Sequence, residues 1–167
     1  MGLFKTVYEK KEINSYIIYQ DMDGCLTNFE KAIKELGLTF DVLDNEPNKA
    51  WPIIAKAGEN FWAHMSWIKD GKVLWDYIKK YDPTILSAPT SANSSKTGKR
   101  IWVKNELGQN VKVVLCKASE KQQYANDHSI LIDDMQKNID QWKSKGGIGI
   151  LHTNAKDTIK KLKDLGL

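Results

Sequence analysis

With 167 residues, 41% of them hydrophobic, the chain is long enough to bury the core of one ordinary domain, with room for a small insertion. Its 25 Lys+Arg against 21 Asp+Glu leave a formal charge of +4, with the excess in the C-terminal half; this suits an anionic ligand and falls short of a nucleic-acid footprint. No apolar run approaches membrane-spanning length, no N-terminal apolar h-region is present, and Cys25 and Cys116 lack CxxC spacing, so a soluble, reduced, cytoplasmic protein without membrane partners is expected.

Residues 1–14 are polar and lysine-rich (Lys5, Lys10, Lys11) and read as a leader or a short edge strand. Residues 15–27, SYIIYQDMDGCLT, open as a β-branched apolar run and end in Asp21, Asp23 and Gly24. Such a short run, closed by glycine, reads as a buried strand of a parallel sheet. Alternation aims Asp21 and Asp23 to one side and Met22 to the other. Two adjacent carboxylates repel each other unless a cation or substrate compensates them. Asp-Gly is also a common turn pair, which would make this only a polar strand end.

Residues 28–36 carry Phe29, Ala32, Ile33 and Leu36 at helical spacing, with Gly37 as a C-cap. Residues 39–70 form the least regular stretch, with Pro47, Pro52, Gly58 and the aromatics Trp51, Phe61, Trp62 and Trp67. An amphipathic helix over 72–80 leads to a second strand, PTILSAP (83–89), which ends in Ser87. A polar loop over 90–98 and a helix over 99–107 follow, then a strand over 111–116 and a helical segment over 120–126. A strand at 129–135, SILIDDM, ends in Asp133 and Asp134. A helix over 138–145, a strand over 148–152 and a helix over 155–165 complete the chain. Alternating strands and helices imply an α/β fold with right-handed crossovers: a Rossmann-like parallel sheet of about five strands. Ligands of such sheets bind beyond the strands' carboxyl ends, where these acids and Ser87 would gather.

These strand ends resemble the haloacid dehalogenase (HAD) superfamily of phosphohydrolases. Its DxDGxL/V signature is matched by Asp21-Met22-Asp23-Gly24-Cys25-Leu26, its strand-closing Ser or Thr by Ser87, and its paired acids by Asp133-Asp134. Within the superfamily the chain looks most like the 5'(3')-deoxyribonucleotidases, through DMDGCLTNFE (21–30), Phe61-Trp62, SAP (87–89), GKRIWVKNELG (98–108) and ILIDD (130–134). The family's TSP-type second motif reads Ser87-Ala88-Pro89 here, so a small residue replaces a hydroxyl. The resemblance implies a small helical cap over 28–70, inserted after the first strand, and a core formed by 1–27 and 71–167.

It also implies chemistry. Phosphate monoester hydrolysis is among the slowest uncatalysed reactions, so the site must offset developing charge strongly. Asp21 is expected as the nucleophile forming an aspartyl-phosphate, and Asp23 as the acid and base. A Mg2+ ion would be held by the Asp21 carboxylate, the Asp23 backbone carbonyl and Asp133, with Asp134 ligating directly, through water, or only anchoring the loop. Ser87 would bond a phosphate oxygen. Lys99, opening its helix, is the leading candidate to balance the phosphate, with Lys96, Arg100 and Lys117 competing. Phe29, Phe61 and Trp62 match family positions that enclose a nucleobase, and Lys117 matches a basic residue that follows the strand over 111–116; these four form the expected substrate-binding set. The cap aromatics could equally pack the insertion's own core.

The expected function is thus a Mg2+-dependent phosphomonoesterase acting on deoxynucleotides. Alternatives are another phosphate ester (a sugar phosphate or a nucleic-acid 3'-phosphate end) and a non-catalytic phosphate-binding module. Carbon–halogen cleavage would leave Asp23 and the paired acids unexplained, and no GxxxxGK[ST] loop supports a kinase. Homodimerisation is left open, and His64, His128 and His152 have no ligand spacing.

Overall fold

The computed structural model describes residues 16–167; the leader or edge strand expected over 1–14 lies outside them. Among the described residues five parallel strands form one sheet: β1 (Ile17–Gln20), β2 (Thr84–Ser87), β3 (Val113–Leu115), β4 (Ser129–Asp133) and β5 (Ile148–Leu151), in the order β3-β2-β1-β4-β5. The chain winds outward from β1 to β3 and then returns to the other side of β1. The order therefore reverses between β1 and β4, and a doubly wound sheet opens its ligand crevice at that switch point. The register pairs Gln20 with Ile132, and the Asp21 amide donates to the Ile132 carbonyl at 2.9 Å. Asp21 and Asp133 thus end neighbouring strands side by side.

Period-2 alternation splits the core between the two faces of the sheet. Ile18, Ile85, Ile130, Ile132 and Ile150 pack on one face, with Leu74, Ile78, Trp102 and Leu162 from the helices. Leu86 and Leu131 pack on the other, with Ile139 and Trp142. The helices are α1 (Phe29–Glu35), α2 (Phe40–Asn45), α3 (Pro47–Ala63), α4 (Gly71–Ile78), α5 (Asn93–Glu106), α6 (Gln136–Ser144) and α7 (Ala155–Asp164), with 3-10 turns at Lys79–Tyr81 and Ala118–Tyr124. No helix among the described residues is long and apolar enough to cross a membrane.

Residues 39–70, the least regular stretch of the pattern, where the resemblance implied a small helical cap, are largely helical. Pro47 sits in the first turn of α3, where its missing N–H costs nothing. Thr39 caps α2 by accepting from the Val42 amide. What the breakers impose is a kink: α3 consists of two helical segments meeting at Gly58, whose φ of 69° favours glycine. Its second segment lies against α5 at Gly98, where an added Cβ would stand 2.5 Å from Trp62 Cβ and 2.6 Å from the Glu59 carbonyl oxygen. That close approach binds the inserted helices to the core.

Two other local expectations shift. The polar loop expected over 90–98 ends early, because α5 begins at Asn93. The helical segment expected over 120–126 is a 3-10 helix that begins at Ala118, and its side chains follow a three-residue repeat.

Candidate active site

Four chain segments meet beyond the carboxyl ends of β1, β2 and β4, around a cavity of about 840 Å³. Asp21 is 7% exposed, and its Oδ1 accepts from Lys121 Nζ at 2.8 Å. The same ammonium donates to Asp133 Oδ2 at 2.7 Å. Asp133 is fully buried. Its Oδ1 accepts from the Met135 amide at 2.9 Å, and Asn138 Nδ2 donates to both of its oxygens at 3.1 and 3.0 Å. The Asp133 carboxylate is therefore saturated and holds Lys121 against Asp21.

Asp23 has a different set of partners. Its Oδ1 accepts from Thr27 Oγ1 at 2.8 Å and its Oδ2 from Lys99 Nζ at 2.5 Å. Lys99, with no exposed surface, also donates to Ser87 Oγ at 3.1 Å and stands 4.9 Å from the Trp62 ring centroid. A cation over an aromatic face is attracted by the ring quadrupole, more strongly when desolvated. Asp23, Lys99 and Ser87 thus form one hydrogen-bonded chain along a wall of the cavity.

Gly24 is required twice over. Its φ is 81°, and a Cβ there would stand 2.1 Å from Asp134 Oδ2. Gly24→Ala is expected to cost about 2 kcal/mol or more from left-handed strain and the clash with Asp134. Chemical denaturation checks this, and an unchanged midpoint would show that Asp134 is not held against Gly24.

The electrostatics follow from burial. Burial, reinforced by Asp133, Asp134 and Asp23 and opposed by Lys121, pushes the Asp21 carboxyl up to about 7. Burial and Asp133 raise Asp134 to about 6. Burial works against the Lys121 ammonium, but Asp21 and Asp133 outweigh it and hold its pKa above the ordinary lysine value. Burial, with the charges of Asp21 and Asp134, lifts the Cys25 thiol well above its usual range. Asp21 and Asp134 start from 3.8 when unfolded, so between that value and about 6 to 7 the folded chain holds protons the unfolded chain has lost. Their contribution to stability is fully present below pH 3.8 and lost as pH rises through the folded values. In metal-free protein Asp134→Asn should accordingly flatten the fall of unfolding free energy between pH 4 and 6, read by denaturant titration at several pH values. A slope equal to wild type would remove Asp134 from that balance.

The arrangement fits a metal. Asp21, Cys25 and Asp134 each present a donor atom within 4.8 Å of the other two, and Asp134 Oδ1 is buried with no hydrogen-bond partner among the described residues. The paired acids differ in what they leave free. Asp133, expected as the direct ligand, is saturated by Lys121, Asn138 and the Met135 amide, whereas Asp134 has the available oxygen. The reason is geometric: successive residues at a strand end face opposite ways, and Asp133 turns inward toward Asn138 and Lys121.

Among the competing cations, Lys99 is buried at the site, while Lys96, Arg100 and Lys117 are exposed. Lys117, expected in the substrate-binding set, does not line the cavity; Lys121, four residues further along the 3-10 helix, reaches the carboxylates instead. Nothing in the sequence marked it, because a lysine's reach depends on which kind of turn carries it. Phe29 and Trp62 line the cavity, with their rings stacked 5.9 Å apart at 18°. Phe61 does not. It packs edge-on behind Trp62 at 4.9 Å and faces a separate recess beside Ala32 and Met65. Its place in the wall is taken by Phe40 and Trp51, exposed by 48% and 38%. Trp51 shares a helix face with Ile54 and Ala55, which also line the cavity, and that i, i+3, i+4 spacing could have revealed it.

No family model matches the sequence, and no curated protein sequence matches it. Solved structures do. A hydrolase from Streptococcus pneumoniae TIGR4 superposes with a TM-score of 0.52 at 15% identity, over 89% of this chain and 99% of that one. A HAD-superfamily hydrolase from Ehrlichia chaffeensis superposes with a TM-score of 0.55 at 10% identity, over 90% of this chain and 97% of its own. The fold is that of the HAD hydrolases. At such identities the likeness concerns the architecture: the HAD-type parallel sheet with its helices, and hence the strand ends on which the acids stand.

Proposed function

We propose that the chain is a HAD-type phosphomonoesterase that uses Mg2+ and acts on nucleoside monophosphates, with deoxynucleotides the preferred class. The observation that carries this reading is the pairing of two acids from one strand end with two buried lysines: Asp21 with Lys121, and Asp23 with Lys99. A phosphate-binding module needs the cations but has no use for a nucleophile and an acid two residues apart.

Lys121 fixes Asp21 by its Oδ1, and no described residue donates to the other oxygen, which is the one available to attack phosphorus. Attack forms the Asp21–phosphorus bond and breaks the bond from phosphorus to the ester oxygen, which takes a proton from Asp23. Water then gives a proton back to Asp23, attacks phosphorus and releases Asp21 and inorganic phosphate. Lys99 links these roles. A phosphate that accepts from Ser87 and Lys99 shares the ammonium with Asp23 and so stands beside the acid. When bound, a divalent ion held by Asp21 and Asp134 supplies the charge neutralisation that lets an anionic nucleophile approach an anionic phosphate.

The leaving group lies between Phe29, Phe40, Trp51, Ile54 and Trp62. Stacking on such rings contributes about 1–3 kcal/mol per base, which favours a nucleotide over a sugar phosphate. A panel of dUMP, dTMP, UMP and a sugar phosphate, assayed with Mg2+ and with EDTA, tests the reading: the deoxynucleotides should have the highest kcat/KM, and EDTA should stop turnover. Hydrolysis of the sugar phosphate alone would remove the nucleotide assignment, and no hydrolysis of any ester would remove the phosphatase. Trp51→Ala should raise KM for dUMP by roughly tenfold while changing KM for a sugar phosphate little. Equal effects would reduce the aromatics to cap packing. Trp62→Ala is less clean, since Lys99 rests on that ring.

A further inference from the structure

Cys25 stands in the same cluster and has no part in the reaction above. It is a free thiol with no exposed surface. Its sulfur lies within 4.8 Å of a carboxylate oxygen of both Asp21 and Asp134, and Asp134 Oδ1 is buried without a partner among the described residues. Mg2+ takes oxygen ligands and has no use for the sulfur. We propose that Cys25, Asp21 and Asp134 form a three-donor site for a thiophilic divalent cation of the zinc class, which displaces Mg2+ and ties up the Asp21 carboxylate.

The donor set has the composition of a zinc site: one sulfur and two carboxylates, with a fourth position left for water. Bonds of 2.0–2.3 Å around a tetrahedral ion put ligand atoms roughly 3.5 Å apart, so the three donors need close by only about an ångström. Zinc exceeds magnesium in affinity for nearly any site containing sulfur. On binding, the thiol gives its proton to solvent and a sulfur–metal bond replaces the S–H bond, so no oxidant or reductant is involved. Because Asp21 is common to both ions, zinc and magnesium bind exclusively of each other. The site therefore makes the protein responsive to thiophilic metal, whichever ester it hydrolyses.

The test reads metal binding without substrate, so its failure is separate from failure of the phosphatase reading. The metal-stripped full chain is titrated with Co2+, a spectroscopic stand-in for zinc, and sulfur-to-cobalt charge-transfer absorption is followed in the near ultraviolet. Wild type and Cys116→Ser should show the band, and Cys25→Ser should lose it. Competition should show zinc bound roughly tenfold or more weakly by Cys25→Ser, with a much smaller change for Mg2+. A wild type without the band, a band retained in Cys25→Ser, or a band lost in Cys116→Ser overturns the proposal. Should Cys25→Ser fail to fold, Asp134→Asn keeps both thiols: its Co2+ affinity should fall by roughly tenfold or more, and an unchanged affinity overturns the site.

Discussion

Asp21→Asn is expected to lower turnover by roughly 10³-fold or more while the fold survives. The amide keeps an oxygen in place for Lys121 but cannot attack phosphorus. The substitution also removes a carboxylate that burial pushes up to about 7, so above that pH it relieves a desolvated charge, and thermal unfolding should move by no more than a few degrees. Steady-state hydrolysis of dUMP and a thermal melt at pH 8 give both readings. Near-wild-type turnover would end the case for Asp21 as nucleophile. Collapse of the melt would show that its charge is a structural necessity.

The second large effect is expected at Lys121, and it falls on stability as well as activity. Its ammonium is the buried cation between Asp21 and Asp133. Lys121→Met keeps the length of the side chain and leaves two carboxylates without a counter-charge. Breaking one side of such a buried pair costs about 3–5 kcal/mol, which for a chain of this size lowers Tm by roughly 10 °C. The loss should be largest above pH 7, where Asp21 is ionised, and should shrink on acidification. The Coulombic repulsion left behind should also reduce turnover by about 10²-fold. Melts at pH 5 and pH 8 with parallel assays test this. A variant as stable as wild type at pH 8 would mean that the two carboxylates do not depend on that cation.

Lys121 also shows where sequence reading stops. Asp21, Asp23, Ser87, Asp133 and Asp134 were legible because each closes an apolar strand, and parallel strands deliver their carboxyl ends to one edge. Lys99 was singled out on the expectation that it opens a helix following such a strand, whereas α5 begins at Asn93 and carries Lys99 in its middle. Lys121 sits in ASEKQQY, a polar segment with no periodicity to single it out. It reaches the site because a 3-10 turn aims it inward, and that geometry follows from how the segment packs against α6 and β4. The same limit applies to Phe61, which does not line the cavity, and to Phe40 and Trp51, which do. Adjacent residues on a helix face different ways, so Trp62 reaches the cavity and Phe61 does not.

The division between Asp133 and Asp134 belongs to this class as well. Their adjacency in the sequence says that two acids share a strand end. It does not say which one turns toward Asn138 and Lys121 and which keeps an oxygen unpartnered. Residues 39–70 show the converse: their proline and glycine content read as the least regular pattern and only the resemblance implied helices, yet the disturbance is confined to the kink at Gly58.

Local pattern alone determined the five strands, their parallel winding and the acids at their ends, because alternation and strand length are properties of neighbouring residues. The partner of each acid, which carboxylate of the pair keeps a free oxygen, and the lining of the cavity came only from the tertiary structure. Those are contacts between residues distant along the chain, such as Lys121 with Asp21 and Lys99 with Asp23, and their geometry depends on how whole elements pack.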